Sequence, residues 1–217
     1  MPRFGLVVFD LDGTLIDSIG DLAAAVNAML AERGAGPLSR RAVAGMVGEG
    51  ARLLVERAMA AANLEGDGAD ALSRFLEIYD GLLPGETRPY EGIPEALGVL
   101  GRRARLAVLT NKPTEASLKL LDALGLRPFF AEVVGGDGPF PRKPAPAGLL
   151  HLSAAAGVPP GETVLVGDST IDLLTAHAAG TAACIARYGF GQVTFDETRL
   201  RGGELMAVRP HDLCTLL

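Results

Sequence analysis

Four short stretches of the chain are apolar throughout and end on a polar or small residue: Gly5 to Asp10 (GLVVFD), Arg105 to Thr110 (RLAVLT), Thr163 to Asp168 (TVLVGD) and Thr181 to Ala186 (TAACIA). Continuous apolar runs of this length predict strands buried on both faces of a parallel sheet. Glu132 to Gly136 is a weaker fifth candidate. Helical spacing fills the gaps. One helix is predicted from Pro94, with Leu97 and Leu100 inward. Another is predicted over Thr114 to Leu124, with Thr114 capping its start and Gly125 placed for a left-handed stop. Two more are predicted over Ala147 to Ala156 and from Ser169 to Gly180. Alternating strands and helices imply an α/β fold, an open parallel Rossmann-like sheet flanked by helices.

The alternation stops between about Asp17 and Arg88. Ile19, Leu22, Ala23, Val26, Met29 and Leu30 keep i, i+3, i+4, i+7 spacing. Leu72, Phe75, Leu76, Tyr79, Leu82 and Leu83 repeat it, and Ala51 to Leu64 is helical with a less distinct stripe. This segment holds no convincing strand. It reads as a small all-helical cap inserted after the first strand, with hinges near Ile16–Asp17 and Arg88–Pro89. The expected organisation is a core of residues 1–16 and 89–217 and a cap of residues 17–88. Ligands of open α/β sheets bind beyond the carboxyl ends of the strands, so an insert at that point covers the binding edge.

Composition narrows the class. The chain has 217 residues, 48% of them apolar but only 5% aromatic, so Ala, Leu and Val must build the core. A net charge of −6 without a long like-charged run disfavours nucleic acid. Cys184 and Cys214 are too few for a disulfide framework, and no apolar window nears a membrane span or a signal-peptide core. A soluble cytoplasmic protein, monomer or homodimer, with neither a nucleic-acid nor a membrane partner is expected.

The candidate chemistry sits at the strand ends. Asp10 closes a buried strand and Asp12 follows it in the turn Asp10-Leu11-Asp12-Gly13-Thr14. Asp168 closes another strand, and Asp172 lies one helical turn further on. Turn chemistry alone explains Asp12-Gly13 but leaves Asp10 unexplained. At 4 Å and an effective dielectric near 20, each pair of converging carboxylates costs roughly 4 kcal/mol. A divalent cation relieves that repulsion, and an all-oxygen donor set implies Mg²⁺. Asp172 can instead be solvated. Thr110-Asn111-Lys112-Pro113 offers a hydroxyl and backbone N–H groups to phosphate oxygens, or is a plain helix entry. In Lys143-Pro144-Ala145-Pro146 two prolines stiffen the backbone behind a lysine that can pair with the carboxylates and a phosphate, or stay solvated. His151, His177 and His211 lack metal-ligand spacing, and Cys184 reads as core.

These four elements, in this order, resemble the haloacid dehalogenase superfamily over nearly the whole chain. The resemblance implies that Asp10 is the nucleophile, Asp12 the general acid/base, and Thr110 and Lys143 phosphate ligands. It also implies that Asp10, the Asp12 carbonyl and Asp168 hold Mg²⁺, with Asp172 a ligand or a partner of one. Within the superfamily, Asp10 to Met29, Gly45 to Ala58, Pro89 to Leu97 and Val166 to Asp172 are similar to phosphoglycolate phosphatases. Glu49 stands where those relatives often carry a neutral polar residue. The implied activity is Mg²⁺-dependent phosphomonoester hydrolysis through an aspartyl-phosphate, on a small phosphorylated metabolite, with 2-phosphoglycolate the first candidate. Asn111, the Gly48-Glu49-Gly50 turn and Arg52 are the expected substrate-facing groups. Alternatives are a phosphomutase of the β-phosphoglucomutase type, a pyrophosphatase, and a receiver-like switch domain. The absence of any Lys from Asp17 to Arg88 disfavours a phosphonate hydrolase.

Overall fold

The structure is a computed structural model and describes residues 3–217. Met1 and Pro2, which open the expected core segment, lie outside the described residues. In chain order the main elements begin with β1 (Leu6–Phe9), β2 (Ile16–Asp17), α1 (Ile19–Ala31), α2 (Arg40–Ala44), α3 (Ala51–Ala61) and α4 (Gly68–Leu82). They continue with β3 (Arg88–Pro89), α5 (Ile93–Leu100), β4 (Arg105–Leu109), α6 (Thr114–Ala123), β5 (Glu132–Val134) and α7 (Ala147–Ala156). The last are β6 (Thr163–Gly167), α8 (Thr170–Ala179), β7 (Ala182–Ala186), β8 (Leu205–Ala207) and α9 (Leu213–Leu216).

Six strands form one parallel sheet in the order β5-β4-β1-β6-β7-β8. β1 is central. Val7 and Phe9 pack into one apolar layer with α5 and α9, and Leu6 and Val8 into the other with α7 and α8. That two-sided burial is why β1 reads as an unbroken apolar run. The five expected strands are present, each trimmed by a residue or two. β8 and α9 fall outside the expectation because three- and four-residue elements carry no readable period. Thr114 also differs from expectation. It is the first residue of α6, Pro113 takes the cap position, and the Thr114 hydroxyl donates to Asp137 Oδ1 at 2.6 Å.

Helices α1 to α4 share a separate apolar cluster that includes Val26, Met29, Val55, Ala58, Phe75 and Tyr79. Two chain crossings connect them to the sheet. These crossings are β2 and β3, paired antiparallel with Ile16 opposite Pro89 and Asp17 opposite Arg88. Asp21 fastens the same corner: its buried carboxylate accepts from the Glu86 and Thr87 N–H groups at 2.7 and 3.0 Å and from the Thr87 hydroxyl at 2.6 Å. The stripe expected on α4 is narrower than its sequence implies. Phe75 and Tyr79 are buried, whereas Leu76 and Leu82 are exposed. Among the described residues, no helix is long and apolar enough to cross a membrane.

Candidate active site

Register alone brings the acidic residues together. Phe9 stands opposite Val166 in the parallel β1–β6 pair, so Asp10 and Asp168 emerge from adjacent strand ends. The Asp10 N–H still bonds the Val166 carbonyl at 2.9 Å, which prolongs the ladder to the site. Asp172 returns on the first turn of α8. Asp10, Asp168 and Asp172 are all buried, and each offers a carboxylate oxygen within 4.8 Å of the others. The Asp12 carboxylate is not part of this cluster.

Backbone and hydroxyl donors hold the cluster from behind. Gly191 N–H donates to Asp168 Oδ2 at 2.7 Å, and the Gln192 side chain donates to the Asp168 carbonyl at 2.7 Å. Asp172 Oδ2 accepts from the Ser169 N–H and hydroxyl, at 3.2 and 2.6 Å, as the far half of a capping box. Gly13 is needed for space as well as conformation. Its φ is +87°, and a Cβ there would sit 2.0 Å from Asp168 Oδ2.

Two buried lysines divide the carboxylates between them. Lys143 Nζ lies 2.8 Å from Asp10 Oδ1 and 2.6 Å from Asp172 Oδ1. Lys112 Nζ lies 3.1 Å from Asp12 Oδ2 and 3.2 Å from Asp12 Oδ1, and donates to the Tyr79 hydroxyl at 2.7 Å. The Ser18 hydroxyl holds Asp12 Oδ1 from the other side at 2.6 Å. Asn111 ties the loops together: its side chain accepts the Lys143 N–H at 2.9 Å and donates to the carbonyls of Lys143 and Gly48 at 3.0 and 2.9 Å. Thr110 is buried next to it, its hydroxyl accepting the Lys112 N–H at 3.2 Å.

Burial and neighbours move the titrations in opposite directions. Burial, reinforced by Asp172 and partly offset by Lys143, raises the Asp10 carboxyl to about 6. Asp168 is pushed well above the ordinary carboxylate range by burial, then by Asp172 and Asp10. Burial pulls both lysines down, but the adjacent carboxylates outweigh it, so Lys112 and Lys143 stay charged above the usual lysine range. Raised carboxyls around a shared all-oxygen space are what a site for a hard divalent cation looks like before its charge is supplied.

A cavity of about 70 Å³ opens onto Asp10, Asp12 and Lys112. Its far wall comes from the helical segment: Gly48 and Gly50 before α3, Leu54 within it, and Phe75, Leu76 and Tyr79 of α4. Gly48 and Gly50 thus line the cavity. Arg52 does not. Its side chain is 74% exposed and pairs with Glu56 at 2.8 Å. The helix begins at Gly50, which sets a phase that turns Leu54, Val55 and Ala58 inward and residues 52 and 56 to water. Glu49 pairs with Arg57 and is likewise turned away. Conversely, Lys112 and Tyr79 were not among the expected site residues. A lysine one position beyond the strand-end Thr110-Asn111 was a usable signal for the first. Tyr79 was concealed as one more position of an apolar stripe.

Fold and site together define a class: a parallel α/β sheet with a carboxylate cluster at its carboxyl edge and a helical segment inserted after the first strand. The chain belongs to the haloacid dehalogenase-like hydrolase family, whose model matches residues 7–186. Phosphoglycolate phosphatase 1 of Pseudomonas aeruginosa is 41% identical over 197 residues, spanning 88% of this chain and 71% of that protein. Phosphoglycolate phosphatase of Rhodospirillum rubrum is 44% identical over 200 residues, spanning 88% of this chain and 82% of that one. The crystal structure of a predicted phosphoglycolate phosphatase from Haemophilus somnus superposes with a TM-score of 0.89 at 31% identity, covering 99% of this chain and 98% of the other.

Proposed function

We propose that the chain is a Mg²⁺-dependent phosphatase that hydrolyses a small phosphomonoester, 2-phosphoglycolate first, through a covalent phosphate on Asp10. The observation that carries this reading is the Asp10 carboxylate, buried against Lys143 at 2.8 Å directly beneath a small cavity. The names of the relatives support the substrate, and the two unpaired cysteines are in keeping with a cytoplasmic enzyme.

Asp10, Asp168 and Asp172 fit magnesium by their oxygen donors and their mutual approach, and the carboxyls of Asp10 and Asp168 are raised in the absence of a cation's charge. When bound, the ion supplies positive charge that offsets the repulsion between these carboxylates and an incoming phosphate. The remaining work belongs to side chains. An Asp10 oxygen attacks phosphorus; a P–O bond to Asp10 forms and the ester P–O bond breaks. The leaving oxygen takes a proton from the Asp12 carboxyl, which Ser18 and Lys112 hold in place on the cavity side. The Asp12 carboxylate then takes a proton from water as that water attacks phosphorus. The Asp10–phosphorus bond breaks, phosphate leaves, and both aspartates return to their starting states. Lys143 and Thr110 steady the charge on the phosphoryl oxygens. The helical segment acts as a cap over this reaction, moving about the β2–β3 crossings.

The test is phosphate release from a panel containing 2-phosphoglycolate, hexose phosphates, nucleotides and pyrophosphate, with Mg²⁺ and with EDTA. The reading requires multiple turnovers that stop with EDTA, return with Mg²⁺, and are led by 2-phosphoglycolate in kcat/KM. A tenfold lead for a hexose phosphate or pyrophosphate overturns the substrate. Full activity in EDTA overturns the chemistry.

A further inference from the structure

Lys112 donates to Tyr79, so the phenolic oxygen is an acceptor in that contact and its own proton must go elsewhere. Among the described residues nothing accepts it. The hydroxyl stands in a side chain that is 4% exposed, on the wall of the cavity that reaches Asp10. Burial foremost, with Asp12 nearby, raises the phenol to about 12, so it remains a neutral donor at working pH. Its ring is fixed: it stacks on Phe75 with centroids 5.7 Å apart, and Lys112 Nζ lies over it at 4.4 Å. The rest of that wall is aliphatic or aromatic, including Leu22, Val47, Leu54 and Phe75. The Lys112 ammonium, which Asp12 engages on its sheet side, and an unaccepted O–H stand side by side against an apolar wall and make a site for an anionic oxygen.

We propose that Tyr79 and Lys112 together bind a carboxylate on the leaving-group side of the substrate, the phenol donating its proton and the ammonium supplying charge. This rests on the phosphatase reading above and adds how that site selects among phosphomonoesters. The substrate class is a phosphomonoester of a short hydroxy acid. The recognising groups come from both sides of the cavity, Tyr79 from α4 and Lys112 from the loop after β4. Selection is therefore made only when helical segment and sheet are in contact. It also replaces Arg52 as the cation facing the carboxylate.

The experiment uses a matched pair of substrates, 2-phosphoglycolate and ethyl phosphate, which differ by a carboxylate in place of a methyl group. Wild type should favour 2-phosphoglycolate in kcat/KM. In Tyr79→Phe the ring packing is kept and one hydroxyl is lost. The ratio of the two kcat/KM values should fall by about 10–100-fold, mainly through KM for 2-phosphoglycolate. Lys112→Gln keeps a donor toward Asp12 and removes the charge; its ratio should fall at least as far. An equal loss on both substrates in Tyr79→Phe is what a structural role would give, and overturns the inference while leaving the phosphatase reading standing. If wild type prefers ethyl phosphate, the substrate reading fails and takes this inference with it. If Tyr79→Phe does not fold, the ratio in Lys112→Gln decides, and an unchanged ratio there overturns the proposal.

Discussion

The two walls of the cavity are built on different physics. The sheet wall gathers charges that are expensive to bury and pays for them with partners: Lys143 against Asp10 and Asp172, Lys112 against Asp12, and backbone donors against Asp168. Each of these groups is held by at least two chain segments, so its position is over-determined. The helical wall is mainly apolar packing, and among the described residues Tyr79 brings the one hydroxyl that lines the cavity from that side. It meets the polar groups of the sheet wall through few contacts, Tyr79 to Lys112, Ser18 to Asp12 and Asn111 to the Gly48 carbonyl among them. A wall of paired charges fixes one reaction and tolerates little change. An apolar wall can be repacked at modest cost, so it is where substrate preference can vary.

The comparison breaks most sharply at Asp10. Asp10→Asn is nearly isosteric, and turnover should fall by at least ~10⁴-fold as the proposed nucleophile is lost. Leu54→Val on the opposite wall should stay within about tenfold in kcat/KM, because the volume change is small and no reacting group is touched. Steady-state kinetics on both variants is the check, and comparable losses would dissolve the distinction between the walls. Next in size is Lys143→Met. It leaves Asp10 and Asp172 buried without their shared counter-charge, and the cost should be about 3–5 kcal/mol of folding stability in addition to activity. Urea unfolding in EDTA measures it. A cost below about 1 kcal/mol would mean that solvent screens the cluster.

The same wall predicts an inverted pH dependence. Folding raises Asp10 from its ordinary value near 3.8 to about 6. The folded state therefore holds a proton that the unfolded state has released, and stability falls as pH rises between those values. Above about pH 6 the penalty is complete, on the order of 3 kcal/mol. Asp168, raised in the same direction, adds to it. In EDTA, wild type should lose stability relative to Asp10→Asn from pH 4 to pH 6, and Mg²⁺ should abolish the difference. A wild type that gains on the variant over that range would reverse the sign and refute the assignment.

The two walls were also unequally legible in the sequence. Asp10, Asp168 and Thr110 are tied to strand ends, and a buried parallel strand is the easiest element to read because both its faces are apolar. Their convergence then follows from register. Lys143 was marked instead by the two prolines behind it in the loop before α7. The helical wall has no such anchor. Which residues of α3 face the cavity depends on the phase set at Gly50, where φ is +94° and no side chain caps the helix. Nothing in the spacing of Gly48 to Leu54 states that phase. Tyr79 shows the same limit from the other direction, since an apolar stripe records that a position is buried and not what its polar end meets. Asp12 fell between the two cases: its location was readable, and β1–β4 register sets its loop beside that of Lys112, but the Tyr79 hydroxyl on the same ammonium comes from α4.

Arg52 is the smallest expected effect and the most direct test of that phase. From the sequence it is the nearest cation to the Gly48–Gly50 turn, and so the natural partner for a substrate carboxylate. In the folded chain its guanidinium points to water and pairs with Glu56 one turn along α3. Exposed i, i+4 pairs add little to stability. Arg52→Ala should thus leave stability nearly unchanged, the lost pair being partly offset by the better helix propensity of Ala. Its kcat/KM for 2-phosphoglycolate should remain within about twofold of wild type, because no cavity-lining group moves. Tyr79→Phe, with a smaller change in side-chain volume, should cost far more on that substrate. If the order is reversed, so that Arg52→Ala loses tenfold or more on 2-phosphoglycolate and not on ethyl phosphate, then α3 must turn or shift when substrate binds. The carboxylate would then be read by the helix start instead of by the buried pair.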